Sequence, residues 1–118
     1  MVKGSCLCGG VAFELDRPIR QAIACHCTQC RKTSGHFWAA TNVPHSQFRL
    51  IKSATLTWFQ SSATARRGFR TTCGASLFWK KSGENAISVA AGLLDDPTGI
   101  AIAKHIFVAD KGDYYDID

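Results

Sequence analysis

Apolar residues recur at every second position along much of this chain, and that spacing predicts strands. Val11, Phe13 and Leu15 alternate with small or polar residues, the pattern of a half-buried strand. Gly9-Gly10 before them reads as a turn. Ala22 to Ala24 is a short apolar run that delivers the chain into Cys25. Phe37 to Val43 is a longer β-like run ended by Pro44, and His45-Ser46-Gln47 reads as a tight turn or a single helical turn. Leu50-Ile51 and Leu56 to Phe59 follow as short strands. Gly68 to Thr72 leads into Cys73-Gly74, and Ser76 to Trp79 leads out again. Ser82 to Asn85 is a hairpin-type turn. Ile87 to Leu94 is a strand stopped by Asp95-Asp96-Pro97, and His105 to Val108 is the last clear strand. No stretch long enough for a good helical period interrupts this series. Short strands separated by turn signals predict a mostly β architecture.

Composition narrows the class. At 118 residues, with no internal repeat or linker, the chain is expected to be a single domain spanning residues 1–118. A chain this long buries roughly two-thirds of its unfolded surface, so its core is modest and a metal staple would help. With 46% hydrophobic and 19% charged residues it is not a disordered sequence. No apolar run approaches the ~18 residues of a membrane span. The opening segment MVKGSCLCGG turns polar and glycine-rich at once, unlike a signal peptide, so a cytoplasmic location is expected. The formal charge is +5, but ionised thiols would reduce it and Asp113, Asp116 and Asp118 make it uneven. Neither a membrane nor a nucleic acid is an expected partner. Oligomeric state is not legible.

The chemistry lies in six cysteines: Cys6, Cys8, Cys25, Cys27, Cys30 and Cys73. Disulfides are a poor reading, because close neighbours rarely reach disulfide geometry and the cytosol keeps thiols reduced. Thiolates grouped as Cys-Leu-Cys and Cys-His-Cys-Thr-Gln-Cys are better explained by metal. The sulfurs of Cys25, Cys27 and Cys30 can converge from one side on one ion, at about 2.3 Å for zinc. So short a segment leaves the fourth tetrahedral position for water, a distant side chain or a substrate, which is the catalytic type of site. The alternatives are a structural site closed by His36, His45 or His105, or copper(I), which three soft thiolates also suit. Cys73-Gly74 reads as half of a Cys-x-x-Cys-Gly knuckle, and joining it to Cys6 and Cys8 would pin the N-terminal strand to the middle of the sheet. The knuckle's first position is Arg70, which cannot ligate.

Around these groups, His26 is the titratable residue nearest two candidate ligands. Arg31, Lys32, Arg66 and Arg67 are candidates to hold carboxylates. Arg70 could place positive charge beside the first triad. The aromatic residues Trp58, Phe59, Phe69, Phe78 and Trp79 read as core, and Phe37 and Trp38 as the ones best placed to line a pocket.

Three segments in order, Gly-Ser-Cys-Leu-Cys-Gly-Gly-Val-Ala-Phe, Cys-His-Cys-Thr-Gln-Cys-Arg and Cys-Gly-Ala-Ser-Leu-Phe, resemble the glutathione-dependent formaldehyde-activating family and its centromere-protein relatives. The likeness covers nearly the whole chain, including His105-Ile106-Phe107-Val108. It implies a β-tent fold of short antiparallel strands with two zinc sites per chain. Cys6, Cys8 and Cys73 match the structural site, and Cys25, Cys27 and Cys30 the catalytic one. It also implies a carbon–sulfur lyase that adds a thiol such as glutathione to an aldehyde. Arg31 and Lys32 are then candidates for the glutathione carboxylates. The sequence departs from the family at Arg70, where a fourth structural cysteine usually stands. Two functions compete: this lyase, and a non-catalytic zinc-stapled β module that binds a protein or nucleic acid. The first needs an open metal position, the second two closed sites.

Overall fold

A computed structural model describes residues 1–117. Strands β1 (Val2–Ser5), β2 (Val11–Leu15) and β5 (Phe48–Ser53) form a three-stranded antiparallel sheet in the order β1-β2-β5. The larger sheet takes β3 (Ala22–Cys25), β4 (Trp38–Pro44), β6 (Leu56–Gln60), β7 (Ala65–Arg70), β8 (Ser76–Lys81), β9 (Ala86–Ala90) and β10 (Ile102–Ile106). Its seven strands run in the order β10-β3-β4-β9-β8-β7-β6.

Mostly β architecture is what the alternation predicts, but the strand expected over Ile87–Leu94 ends at Ala90, the one expected over His105–Val108 ends at Ile106, and three further differences follow. β10 pairs parallel to β3, where antiparallel strands were expected throughout. Most of the other strands lie between the two in sequence, so no hairpin dictates their relative direction. β1 has a single large apolar residue, Val2, and is set by its partner: Val2 lies opposite Leu15 and Gly4 opposite Phe13. A side chain on Gly4 would collide with the Phe13 ring, its Cβ falling 2.5 Å from Phe13 Cζ. Third, a helix α1 (Thr28–Ser34) follows the second cysteine group. At seven residues it is too short to show a helical period. It starts because Cys27 takes an extended conformation and its Sγ accepts from the Cys30 N–H at 3.3 Å, the role a serine or aspartate usually plays. It ends at Gly35, whose φ of 87° only glycine adopts freely.

Alternation gives the larger sheet two different faces. One carries the cross-strand row Thr41, Val89, Phe78, Gly68 and Trp58 and packs against Val11, Phe13 and Leu15 of the smaller sheet. Phe78 is the centre of that core, with Phe13 and Phe48 edge-on to it at 5.5 and 5.4 Å. The opposite face carries Ile23, Ala40 and Ala90 in one row, and Asn42, Ser88, Trp79 and Arg67 in another. This face holds the second, smaller core cluster, which Cys30 and Trp38 share.

Phe13→Ala should lower stability by roughly 3–5 kcal/mol, since it opens a void where the two sheets meet. Urea unfolding of the variant measures this, and a loss below about 1 kcal/mol would place the core elsewhere.

Candidate metal centre and its cavity

Two cysteine triads form, and all six cysteines are unbridged. The sulfurs of Cys6, Cys8 and Cys73 lie within 4.8 Å of one another, as do those of Cys25, Cys27 and Cys30. Three soft donors at that spacing fit one zinc ion. Bonds of about 2.3 Å to a tetrahedral ion put sulfurs about 3.8 Å apart, so only small shifts are needed. None of His36, His45 or His105 joins either group among the described residues. His36 Nδ1 is bonded to the Tyr114 hydroxyl at 2.7 Å and His105 Nδ1 to His26 Nε2 at 2.9 Å.

The first triad closes the chain's turn Cys6–Gly10 onto the knuckle after β7. Cys6 Sγ accepts from the Val11 N–H at 3.3 Å. Backbone N–H groups of Cys8 and Ala75 point at Cys73 Sγ and hold its thiol down at about 7. The knuckle itself is well made: Gly74 N–H donates to the Arg70 carbonyl at 2.7 Å. Arg70 is buried, its Nη1 donating to the Ala54 carbonyl at 2.8 Å and its Nε without a partner. The guanidinium lies against Gly10, where a Cβ would fall 1.3 Å from Nη1, so Gly10 is there for close approach. The Gly10 N–H and, more weakly, the Arg70 charge favour the Cys8 thiolate, but desolvation and the Cys6 and Cys73 thiols outweigh them and push its pKa up.

The second triad is built by strand alternation and a helical turn. β3 ends at Cys25 and points it to the face opposite the main core. Cys27 returns to the same side, and α1 brings Cys30 over. His26, between them, must point the other way. It is fully buried, flanked by Phe37, with Nδ1 bonded to the Tyr115 hydroxyl at 2.7 Å and Nε2 to His105. Burial and the neighbouring cations push its pKa down. It therefore braces the chain behind the cysteines and does not face them. The Cys30 thiol donates to Cys25, which pulls the Cys25 pKa down and, with burial, pushes that of Cys30 up.

Arg67 opposes the rise at Cys30. This side chain is 6% exposed, its Nη2 is 3.4 Å from Cys30 Sγ, and its Nε donates to Gln29 Oε1 at 3.1 Å. It also lies 5.8 Å from the Trp38 ring centroid. The sulfurs open onto a cavity of about 530 Å³ on the sheet face. Trp38, Trp79, Ile23, Ile106 and Phe107 make its apolar wall, and Arg20, Lys81, Asn42 and Ser88 its polar one. Trp38 lines it as its sequence position suggests. Phe37 packs on the far side with His26 and His36. Arg31 and Lys32 lie on α1 outside the lining, with Arg31 Nε donating to the Asp110 carbonyl at 3.2 Å. Arg66 sits over Trp58 at 5.1 Å. A second cavity of about 340 Å³, at the Ser82–Asn85 turn, is polar and contains no cysteine. Arg20, just before β3, and Lys81, at the end of β8, carry no local sequence signal; only the tertiary fold brings them to the cavity.

Across residues 1–110 the sequence matches the family model described as glutathione-dependent formaldehyde-activating enzyme. The chain belongs to that family. A crystal structure of a Rhodobacter sphaeroides protein is similar, with a TM-score of 0.69 and 26% identity over 87% of this chain and 98% of that one. No curated protein matches significantly.

Three outcomes test the metal reading. Changing Cys25, Cys27 and Cys30 together to serine should remove the zinc they bind, measured by elemental analysis; unchanged metal content would overturn the assignment. Arg67→Met keeps the apolar stem but removes the charge, so zinc affinity at this triad should fall by roughly tenfold in a chelator competition. At the other triad, Arg70→Cys supplies a fourth thiolate and should raise zinc retention and the melting temperature; a lower melting temperature with zinc present would contradict this.

Proposed function

We propose that the protein is a zinc-dependent carbon–sulfur lyase that joins a small thiol such as glutathione to an aldehyde and reverses the reaction. The observation that carries this reading is the position of Cys25, Cys27 and Cys30, whose sulfurs line a cavity and are not sealed in the core. An open triad is what a catalytic site needs, whereas a zinc-stapled binding module would close both sites. Family membership supports the same chemistry.

Cys25, Cys27 and Cys30 would hold the zinc, and the bound ion would supply Lewis acidity that favours the thiolate form of an incoming thiol. The chain's own groups do the rest. Arg67 keeps a permanent positive charge against Cys30 and steadies negative charge gathered at the sulfurs. Arg20 and Lys81 line the cavity and serve the carboxylates of glutathione better than Arg31 and Lys32, which do not. Asn42 Nδ2 donates to Ser88 Oγ at 3.0 Å, a polar pair on the floor available to a peptide group. Trp38, Trp79 and Ala40 exclude water from beside the sulfurs. Adduct formation makes one carbon–sulfur bond: the sulfur electron pair attacks the carbonyl carbon, and the thiol proton ends on the oxygen, which becomes a hydroxyl. Cleavage is the reverse.

The protein should accelerate exchange between formaldehyde and S-hydroxymethylglutathione, followed by carbon-13 exchange NMR. Cys25→Ser with Cys27→Ser should return the rate to the uncatalysed one. No acceleration with any aldehyde would shift the assignment to the binding module.

A further inference from the structure

The surroundings of Cys25 say more about the substrate than the family does. On its face of the sheet, Cys25 has Trp38 across from it on β4, Ile106 across from it on β10, and Ile23 two residues back on its own strand. Every register neighbour of this sulfur on that face is apolar. Polar groups begin further along β4: Asn42 lies opposite Ser88, beyond the Ala40–Ala90 pair. A thiol adduct bound at the sulfurs with its carboxylates toward Arg20 and Lys81 therefore presents its reacting carbon to a wall of indole and isoleucine.

Phe107 adds a second observation. It follows Ile106 directly, lines the same cavity and is 60% exposed. Its φ and ψ of 55° and 40° are left-handed, a region that a bulky residue occupies only under constraint. β10 stops there, and the turn holds the ring at the cavity's edge where a continued strand would carry it past. An exposed aromatic ring kept in a strained conformation beside an apolar wall is arranged to cover something apolar.

Resting on the lyase reading, we infer that the aldehyde-derived part of the adduct is an apolar group larger than a single carbon, an aromatic or branched aliphatic substituent, and that Phe107 closes over it. Formaldehyde contributes only a hydroxymethyl carbon. It would leave Ile23, Ile106 and Phe107 without contact.

Binding of S-benzylglutathione and S-methylglutathione to the full-length protein, followed by quenching of tryptophan fluorescence, tests this without requiring turnover. The two probes share every polar group and differ in the apolar substituent. The benzyl compound should bind roughly tenfold or more tightly, as expected for burying a ring against Trp38, Ile106 and Phe107. Phe107→Ala, at an exposed position, should remove most of that preference by weakening S-benzylglutathione far more than S-methylglutathione; Phe107→Leu should restore part of it. Equal affinities for the two probes, or an equal loss of both in Phe107→Ala, would overturn the inference. Rates with formaldehyde and benzaldehyde separate the two levels. Activity on formaldehyde alone, without a benzyl preference, keeps the lyase and rejects the apolar substituent. A benzyl preference with no activity on either aldehyde keeps the apolar pocket and rejects the lyase.

Discussion

The larger sheet has to satisfy opposite demands on its two faces, and the rest of the structure depends on how side-chain alternation separates them. Toward the smaller sheet, Thr41, Val89, Phe78 and Trp58 meet Phe13, Leu15 and Phe48 in a dry core. On the other face the same strands present Cys25, Trp38, Arg67 and Trp79. A slip of one residue in β3 would bury Cys25 in the place of Ala24 and turn His26 toward the cavity. Register is pinned on both sides: β4 pairs Ala24 with Ala39, and β10 pairs it with His105, whose imidazole also holds His26. The buried His26 and its partner His105 thus fix the position of the second cysteine triad from behind.

Much of this was legible from spacing. Alternation gave β2, and short apolar runs between turn signals gave most of the strands from β3 to β9, even where a strand such as β5 is largely exposed. Cys25 and Cys27, two apart, had to share a side, and Cys30 was within reach. The same alternation also implies that His26 points away, although its nearness in sequence suggested an acid or base. What spacing could not reveal depends on contacts between distant segments. β1 has no pattern of its own and exists because β2 offers it an edge. Phe107 was expected to continue a strand, and only its backbone conformation shows that it turns out at the cavity. Arg20 and Lys81 are ordinary surface cations in the sequence, and Arg31 and Lys32 looked better placed because they follow the cysteines directly. Helical geometry sends those two outward from α1 while Cys30 points inward.

The two triads share one further device, supplied by β7. Arg67 and Arg70 differ by an odd number of residues, so they leave this strand on opposite faces, and each reaches a different triad. Both are more than nine-tenths buried. Burying a guanidinium is expensive unless negative charge lies beside it, and burying thiolates has the same requirement. Three thiolates and one divalent ion leave a single net negative charge, which one guanidinium cancels. A fourth cysteine at position 70 would instead bring that site to two negative charges with no cation nearby. Arg70 would therefore offset the charge of a three-thiolate site without supplying a ligand, leaving a coordination position to be filled from elsewhere. At Arg67 the same balance would hold beside the open cavity, where the guanidinium lies 3.4 Å from Cys30 Sγ and would offset the charge of a metal-bound triad.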